Sequence, residues 1–137
     1  MFEVTIKKSF CAAHLLNNIG GYCEHLHGHN FIVEVTTIGE ELNSAGILVD
    51  FRELKKFLDE IMDALDHKYL NETPAFCETN PSAENIAKYI YEQMSNKLQL
   101  ADVSVKKVTV WESENAKASF DSVSKSKMSQ GGEDRTV

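Results

Sequence analysis

The stretch His27-Gly28-His29-Asn30-Phe31-Ile32-Val33-Glu34-Val35-Thr36-Thr37-Ile38 decides how this chain folds. Its side chains alternate, and Phe31, Val33 and Val35 fall on the same face as the two histidines. A period of two marks a half-buried strand. Upstream, Phe2, Val4 and Ile6 alternate with Glu3, Thr5 and Lys7, which predicts a first strand running to about Ala13. Turn formers, Asn17-Asn18-Ile19-Gly20-Gly21, separate the two stretches, so they are expected to pair antiparallel.

Further along, Asn43-Ser44-Ala45-Gly46 reads as a turn, and Asp50 with Glu53 fits an acidic capping box. Leu54, Phe57, Leu58, Ile61, Met62 and Leu65 then follow helical spacing. A second helix is expected from Asn80-Pro81-Ser82, where Asn caps and Pro suits the first turn, with Ile86, Ile90, Met94 and Leu98 on its apolar face. A strand follows from Val103 to Glu112. Its alternation slips at Lys106-Lys107, which predicts a bulge. Ala116 to Phe120 is its expected hairpin partner. The order ββααββ implies an α+β domain over residues 1–120, with a four-stranded antiparallel sheet and two helices on one face. Residues 121–137 are rich in Ser, Lys and Gly and read as a disordered tail. So short a sheet has open edges, which invite pairing between subunits.

Composition narrows the function. At 137 residues, 42% apolar and 26% charged, the chain has the make-up of one globular domain with a proper core. A formal charge of −7 without a basic stripe argues against nucleic acid. It does not exclude a phosphorylated substrate, because a few lysines at one pocket can reverse the field locally. No stretch is apolar enough to span a bilayer, and the first residues lack a signal peptide's layout, so a cytoplasmic protein without a membrane partner is expected. Three cysteines, Cys11, Cys23 and Cys77, have no framework spacing, so disulfides are not expected. Cys11 and Cys77 read as small buried side chains.

The chemistry concentrates in Cys23-Glu24-His25-Leu26-His27-Gly28-His29 and in His14 upstream. Imidazole is the commonest protein ligand for zinc, and His27 and His29, two apart on a strand, face the same way. Three neutral imidazoles leave one position of a tetrahedral ion open, the catalytic arrangement. Either His14 or His25 fits as the third ligand, and spacing does not choose between them. A thiol beside such an ion has a lowered pKa and becomes a usable base. Asp66-His67, past the first helix, pairs a carboxylate with a histidine it can orient for proton transfer. On sequence alone, a histidine satisfying the last helical carbonyls ranks slightly ahead. Glu112 ends an apolar strand, where solvent exposure is the usual reason for an acid; facing a pocket, it would accept paired bonds from a guanidine-like edge. Trp111 is expected in the core.

Five segments, taken in order, resemble a known family. They are Phe10-Cys11-Ala12-Ala13-His14, Cys23 ahead of His27-Gly28-His29-Asn30, Leu65-Asp66-His67, Pro81-Ser82-Ala83-Glu84-Asn85 and Trp111-Glu112-Ser113. Together they are similar to the 6-pyruvoyl-tetrahydropterin synthase / 6-carboxytetrahydropterin synthase family. The resemblance implies the tunnelling fold, zinc on His14, His27 and His29, and catalysis by Cys23 with Asp66 and His67. It implies that Glu112, with Ser82 and Glu84, contacts a pterin triphosphate substrate. Where animal-type members carry two threonines, this chain has Ser82 and Ala83, and Ala83 offers no hydroxyl. The resemblance further implies a homohexamer with active sites between subunits. The short spacing from Cys23 to His27 is more like the bacterial branch of queuosine biosynthesis. That branch converts 7,8-dihydroneopterin triphosphate to 6-carboxy-5,6,7,8-tetrahydropterin, acetaldehyde and triphosphate. The alternatives are a 6-pyruvoyl-tetrahydropterin synthase and a non-enzymatic zinc- or pterin-binding module; a histidine-ligated zinc hydrolase would leave Glu112 without a role.

Overall fold

The computed structural model describes residues 1–18 and 25–121. The two alternating stretches pair as expected. Strand β1 (Phe2–His14) runs antiparallel to β2 (His27–Gly39), from Phe2 opposite Gly39 to His14 opposite His27. Even-numbered residues of β1 and odd-numbered residues of β2 turn to the core, where Ile6, Phe10, Phe31, Val33 and Val35 are buried. Gly39 ends β2 where a Cβ would come within 2.6 Å of the Asp102 carbonyl oxygen, so only glycine fits without displacement.

Helix α1 (Phe51–Met62) is capped by Asp50, whose carboxylate accepts from the Arg52 N–H and pairs with its guanidinium. It buries Leu54, Leu58, Ile61 and Met62. Ion pairs Lys8–Asp59 and Lys97–Glu60 brace it against the first strand and the second helix. That helix, α2 (Ala83–Lys97), is capped by Ser82, not by Asn80 as expected; Ser82 Oγ accepts from Asn85 N–H at 3.1 Å. Pro81 therefore lies just outside the helix. Ile86, Ile90, Met94 and Leu98 all face the core, as their spacing predicts.

The sheet differs from expectation in one respect. Among the described residues it has five strands, in the order β3-β1-β2-β4-β5. The addition, β3 (Lys68–Tyr69), is two residues long and runs parallel to β1 at Ala12 and Ala13. The sheet is therefore neither four-stranded nor wholly antiparallel. So short a strand has no periodicity to read; it forms because His67, at φ 57°, turns the chain back onto β1. Strands β4 (Val103–Ser113) and β5 (Ala116–Asp121) make the expected hairpin. The β2–β4 register shifts between Thr36 and Thr37, opposite Lys107 and Val105, so the bulge falls at Lys106. The bulge restores Val108 and Val110 to the core side and sends Trp111 to the face away from the helices. Trp111 is accordingly half-buried with Lys117 Nζ 4.7 Å from its ring centroid, rather than a core residue.

Cys11 is likewise exposed, because its odd position in β1 faces away from the helices, and Cys77 is exposed in the connection before α2. No described helix is long and apolar enough to cross a membrane. Cys23 and residues 122–137, the tail, lie outside the described residues; Asp121 belongs to β5.

Candidate metal centre

Cross-strand register assembles the histidines. His14 is the last residue of β1 and stands opposite His27, the first of β2, with His29 two residues along on the same face. Their ring centroids are 4.5 Å (His14–His27), 4.8 Å (His27–His29) and 5.1 Å (His14–His29) apart. One nitrogen from each lies within 4.8 Å of the others, so the three can share one ion. Phe31 forms the floor, 5.3 Å by centroid from both His14 and His29, and stacks in turn on Phe10.

Outer hydrogen bonds decide which nitrogen each ring presents. His14 Nδ1–H donates to the Pro81 carbonyl at 2.7 Å, and His27 Nδ1–H donates to the His25 carbonyl at 2.7 Å. Both rings thereby turn Nε2 inward as a lone-pair donor, the arrangement in which an outer partner fixes the tautomer of a metal ligand. His25 enters the site through its backbone carbonyl, and its ring is not part of the cluster. That resolves on geometry the choice that spacing left open.

His14 is fully buried, and its Nε2 meets no hydrogen-bond partner. Glu112 Oε1 lies 3.4 Å away. Burial holds His14 below the ordinary histidine pKa against the raising effects of the Pro81 bond and Glu112. His29 is lowered as well, chiefly by burial. Rings kept neutral, with an orphaned nitrogen aimed at two others, fit a divalent cation such as zinc.

The remaining candidates fall into two groups. Glu112 and Glu84 line one small cavity of about 170 Å³ with Ala83, Ala116, Lys117 and Ala118, beside the histidine cluster through Glu112. Ser82 does not line it; its Oγ is engaged as the α2 cap. Asp66 and His67 lie beside β1, just ahead of the edge strand β3. His67 Nδ1 is 3.1 Å from Asp66 Oδ1, with the His67 side chain 81% exposed. Backbone bonds set this pair: Cys11 N–H donates to Asp66 Oδ1 at 2.9 Å, and His67 N–H donates to Cys11 C=O at 2.6 Å. The Cys11 bond is the main reason the Asp66 carboxyl sits below its ordinary pKa. α1 ends at Met62 with Asp63 as its C-cap, so His67 lies beyond the helix terminus. His67 and His29 line one open depression with Cys11, Asn30 and Lys68. Sequence reasoning missed the Pro81 and His25 carbonyls, since any residue supplies one and only the fold aims it.

The model of the family described as 6-pyruvoyl tetrahydropterin synthase matches residues 3–122. A dihydroneopterin monophosphate aldolase of Pyrococcus furiosus is 38% identical over 110 residues, covering 80% of this chain and 89% of the relative. A putative 6-carboxy-5,6,7,8-tetrahydropterin synthase of Archaeoglobus fulgidus is 35% identical over 114 residues, covering 82% and 89%. The solved structure of a 6-pyruvoyl tetrahydropterin synthase from Caenorhabditis elegans superposes with a TM-score of 0.76 at 28% identity, covering 90% of this chain and 98% of that one. The shared architecture is of the tunnelling type, two helices on a multi-stranded sheet. With its histidine cluster and its pterin-synthase relatives, the chain belongs to the 6-pyruvoyl tetrahydropterin synthase family.

Proposed function

We infer that this protein is a zinc-dependent pterin synthase that eliminates triphosphate from 7,8-dihydroneopterin triphosphate, giving 6-pyruvoyl-tetrahydropterin. The observation that carries the reading is the buried, orphaned Nε2 of His14, aimed at His27 and His29 with a carboxylate-lined cavity alongside. His14, His27 and His29 hold the metal in this reading. Bound zinc supplies Lewis acidity, drawing charge from the substrate's side-chain hydroxyls and loosening their protons.

The chain's own residues do the rest. Glu112 accepts paired hydrogen bonds from the guanidine-like edge of the pterin, assisted by Glu84 at the same cavity and by Ser82 at the start of α2. Cys23 as thiolate removes a proton from the substrate side chain. His67, oriented by Asp66, returns protons to the ring and side chain. With the Asp66–His67 pair exposed just ahead of the edge strand β3, a homohexamer can lend it to a neighbouring subunit's metal centre.

A second reading keeps the same residues and adds cleavage of the side chain, giving 6-carboxy-5,6,7,8-tetrahydropterin and acetaldehyde. The short spacing from Cys23 to His27 favours it. The test is to incubate zinc-loaded protein with dihydroneopterin triphosphate and, separately, the monophosphate, then identify products by mass spectrometry. Triphosphate with 6-pyruvoyl-tetrahydropterin supports the first reading, and acetaldehyde the second. Carbon–carbon cleavage that leaves the phosphate ester intact would refute both in favour of an aldolase. No turnover of either compound leaves only a binding module.

A further inference from the structure

Beyond His14 the chain is gripped by two asparagine side chains that imitate a strand partner. Asn71 Oδ1 accepts from the Leu15 N–H at 3.0 Å, and its Nδ2 donates to the Leu15 carbonyl at 2.9 Å. Asn80 repeats the pattern on Asn17, with both bonds at 2.9 Å. A carboxamide carries a donor and an acceptor side by side, so it can answer both backbone groups of one residue as a neighbouring strand would. Asn80 is itself fixed, because its carbonyl accepts from Asn85 Nδ2 at 2.8 Å. The next carbonyl, that of Pro81, receives His14 Nδ1–H.

Asn80-Pro81 thus touches the end of β1 at two points: its side chain on the Asn17 backbone and its carbonyl on the His14 ring. Proline has no N–H and a fixed φ, so the direction of its carbonyl follows from how this segment is docked. We propose that Asn80, with Asn71 as a second clamp, is a positioning residue for the metal ligand His14. The clamps hold the Pro81 carbonyl and the β1 terminus in the one arrangement that points His14 Nε2 at His27 and His29. This rests on the metal reading above and adds to it a device, outside the ligand set, that tunes affinity.

The test measures zinc affinity by competition with a chromophoric chelator, and the visible absorption of the cobalt-substituted protein. The proteins are the parent chain, Asn80→Ala, Asn71→Ala and, as control, Asn43→Ala. Asn43 also bonds two backbone N–H groups, of Ala45 and Ile47, but lies beyond the Gly39 end of β2, away from the metal centre. Loss of an outer partner typically weakens a metal site about 10- to 100-fold. Asn80→Ala is expected to show a loss in that range and an altered cobalt spectrum, Asn71→Ala a smaller loss, and Asn43→Ala neither. Should Asn80→Ala fold poorly, Asn80→Asp keeps the acceptor for Asn17 N–H and is expected to fall between it and the parent. Zinc affinity within about twofold of the parent in both Asn80 variants, or an equal drop in Asn43→Ala, overturns the proposal. A parent chain that takes up no zinc would sink the metal reading first, and the proposal with it.

Discussion

Acidification of the metal-free protein isolates the buried histidine of the cluster. His14 is fully buried, and burial lowers its native pKa below the ordinary 6.5. In the unfolded chain the ring titrates near that ordinary value. Below it the unfolded state binds a proton that the native state refuses, so stability rises with pH and falls on acidification. Above about pH 6.5 both states are neutral and the group contributes nothing. One unit lower, at about pH 5.5, the unfolded state gains about 1.4 kcal/mol, the ceiling for one group whose native pKa lies far below. His29 shifts in the same direction and adds a smaller, solvent-screened share. The carboxylates held low by hydrogen bonds, Glu3 to Lys106, Asp50 to Arg52, Glu60 to Lys97 and Asp66 to the Cys11 N–H, contribute above their ordinary values of 3.8 to 4.5 and are lost only below them. Between about pH 7.5 and 5.5 these carboxylates therefore stay ionised in both states, and the slope there belongs to the histidines. Urea melts in chelator at about pH 7.5, 6.5 and 5.5 give the stability at each by linear extrapolation. The parent should lose about 1–2 kcal/mol between the extremes, and His14→Gln should lose distinctly less. A parent whose stability stays flat or rises toward acid, or a His14→Gln variant with the parent's full slope, refutes the reasoning.

Three further outcomes are expected. His29→Ala should lower zinc affinity, read by chelator competition, by more than the roughly 10- to 100-fold that losing an outer partner costs, because the proposed site loses a ligand itself. Ile90→Ala, at a position with no exposure, should cost about 2–5 kcal/mol in urea melts whether or not zinc is present. Cys23→Ala should abolish turnover of dihydroneopterin triphosphate while zinc content, measured by atomic absorption, stays at the parent level; unchanged turnover removes the cysteine from the mechanism.

What could be read beforehand had a period or a rare residue type behind it. The alternation of β1 and β2 placed His27 and His29 on the core face, and the slip at Lys106-Lys107 marked the bulge that the β2–β4 register shows. The helix faces followed from the spacing of Leu54, Leu58, Ile86 and Ile90. What escaped depends on groups that every residue owns. β3 is two residues long, below any detectable period, and exists because His67 takes a left-handed conformation. Residue type alone puts Trp111 and Cys11 in the core, but register sends both to the face away from the helices. The Asn71 and Asn80 clamps answer backbone groups from more than fifty positions away, and no local pattern announces such a bond.

The His14–Pro81 bond joins positions 67 apart, and this bears on when the metal centre comes into being. A contact across so long a loop pays its closure entropy late, after the local hairpin and helices have formed. The β1–β2 pairing brings the three rings together, yet His14 acquires its outer partner only once the turn ahead of α2 has arrived. Zinc should then grip a nearly finished molecule, slowing its unfolding while leaving the folding rate almost untouched. For a cell, the metal would serve less as a template for this fold than as a latch closed behind it.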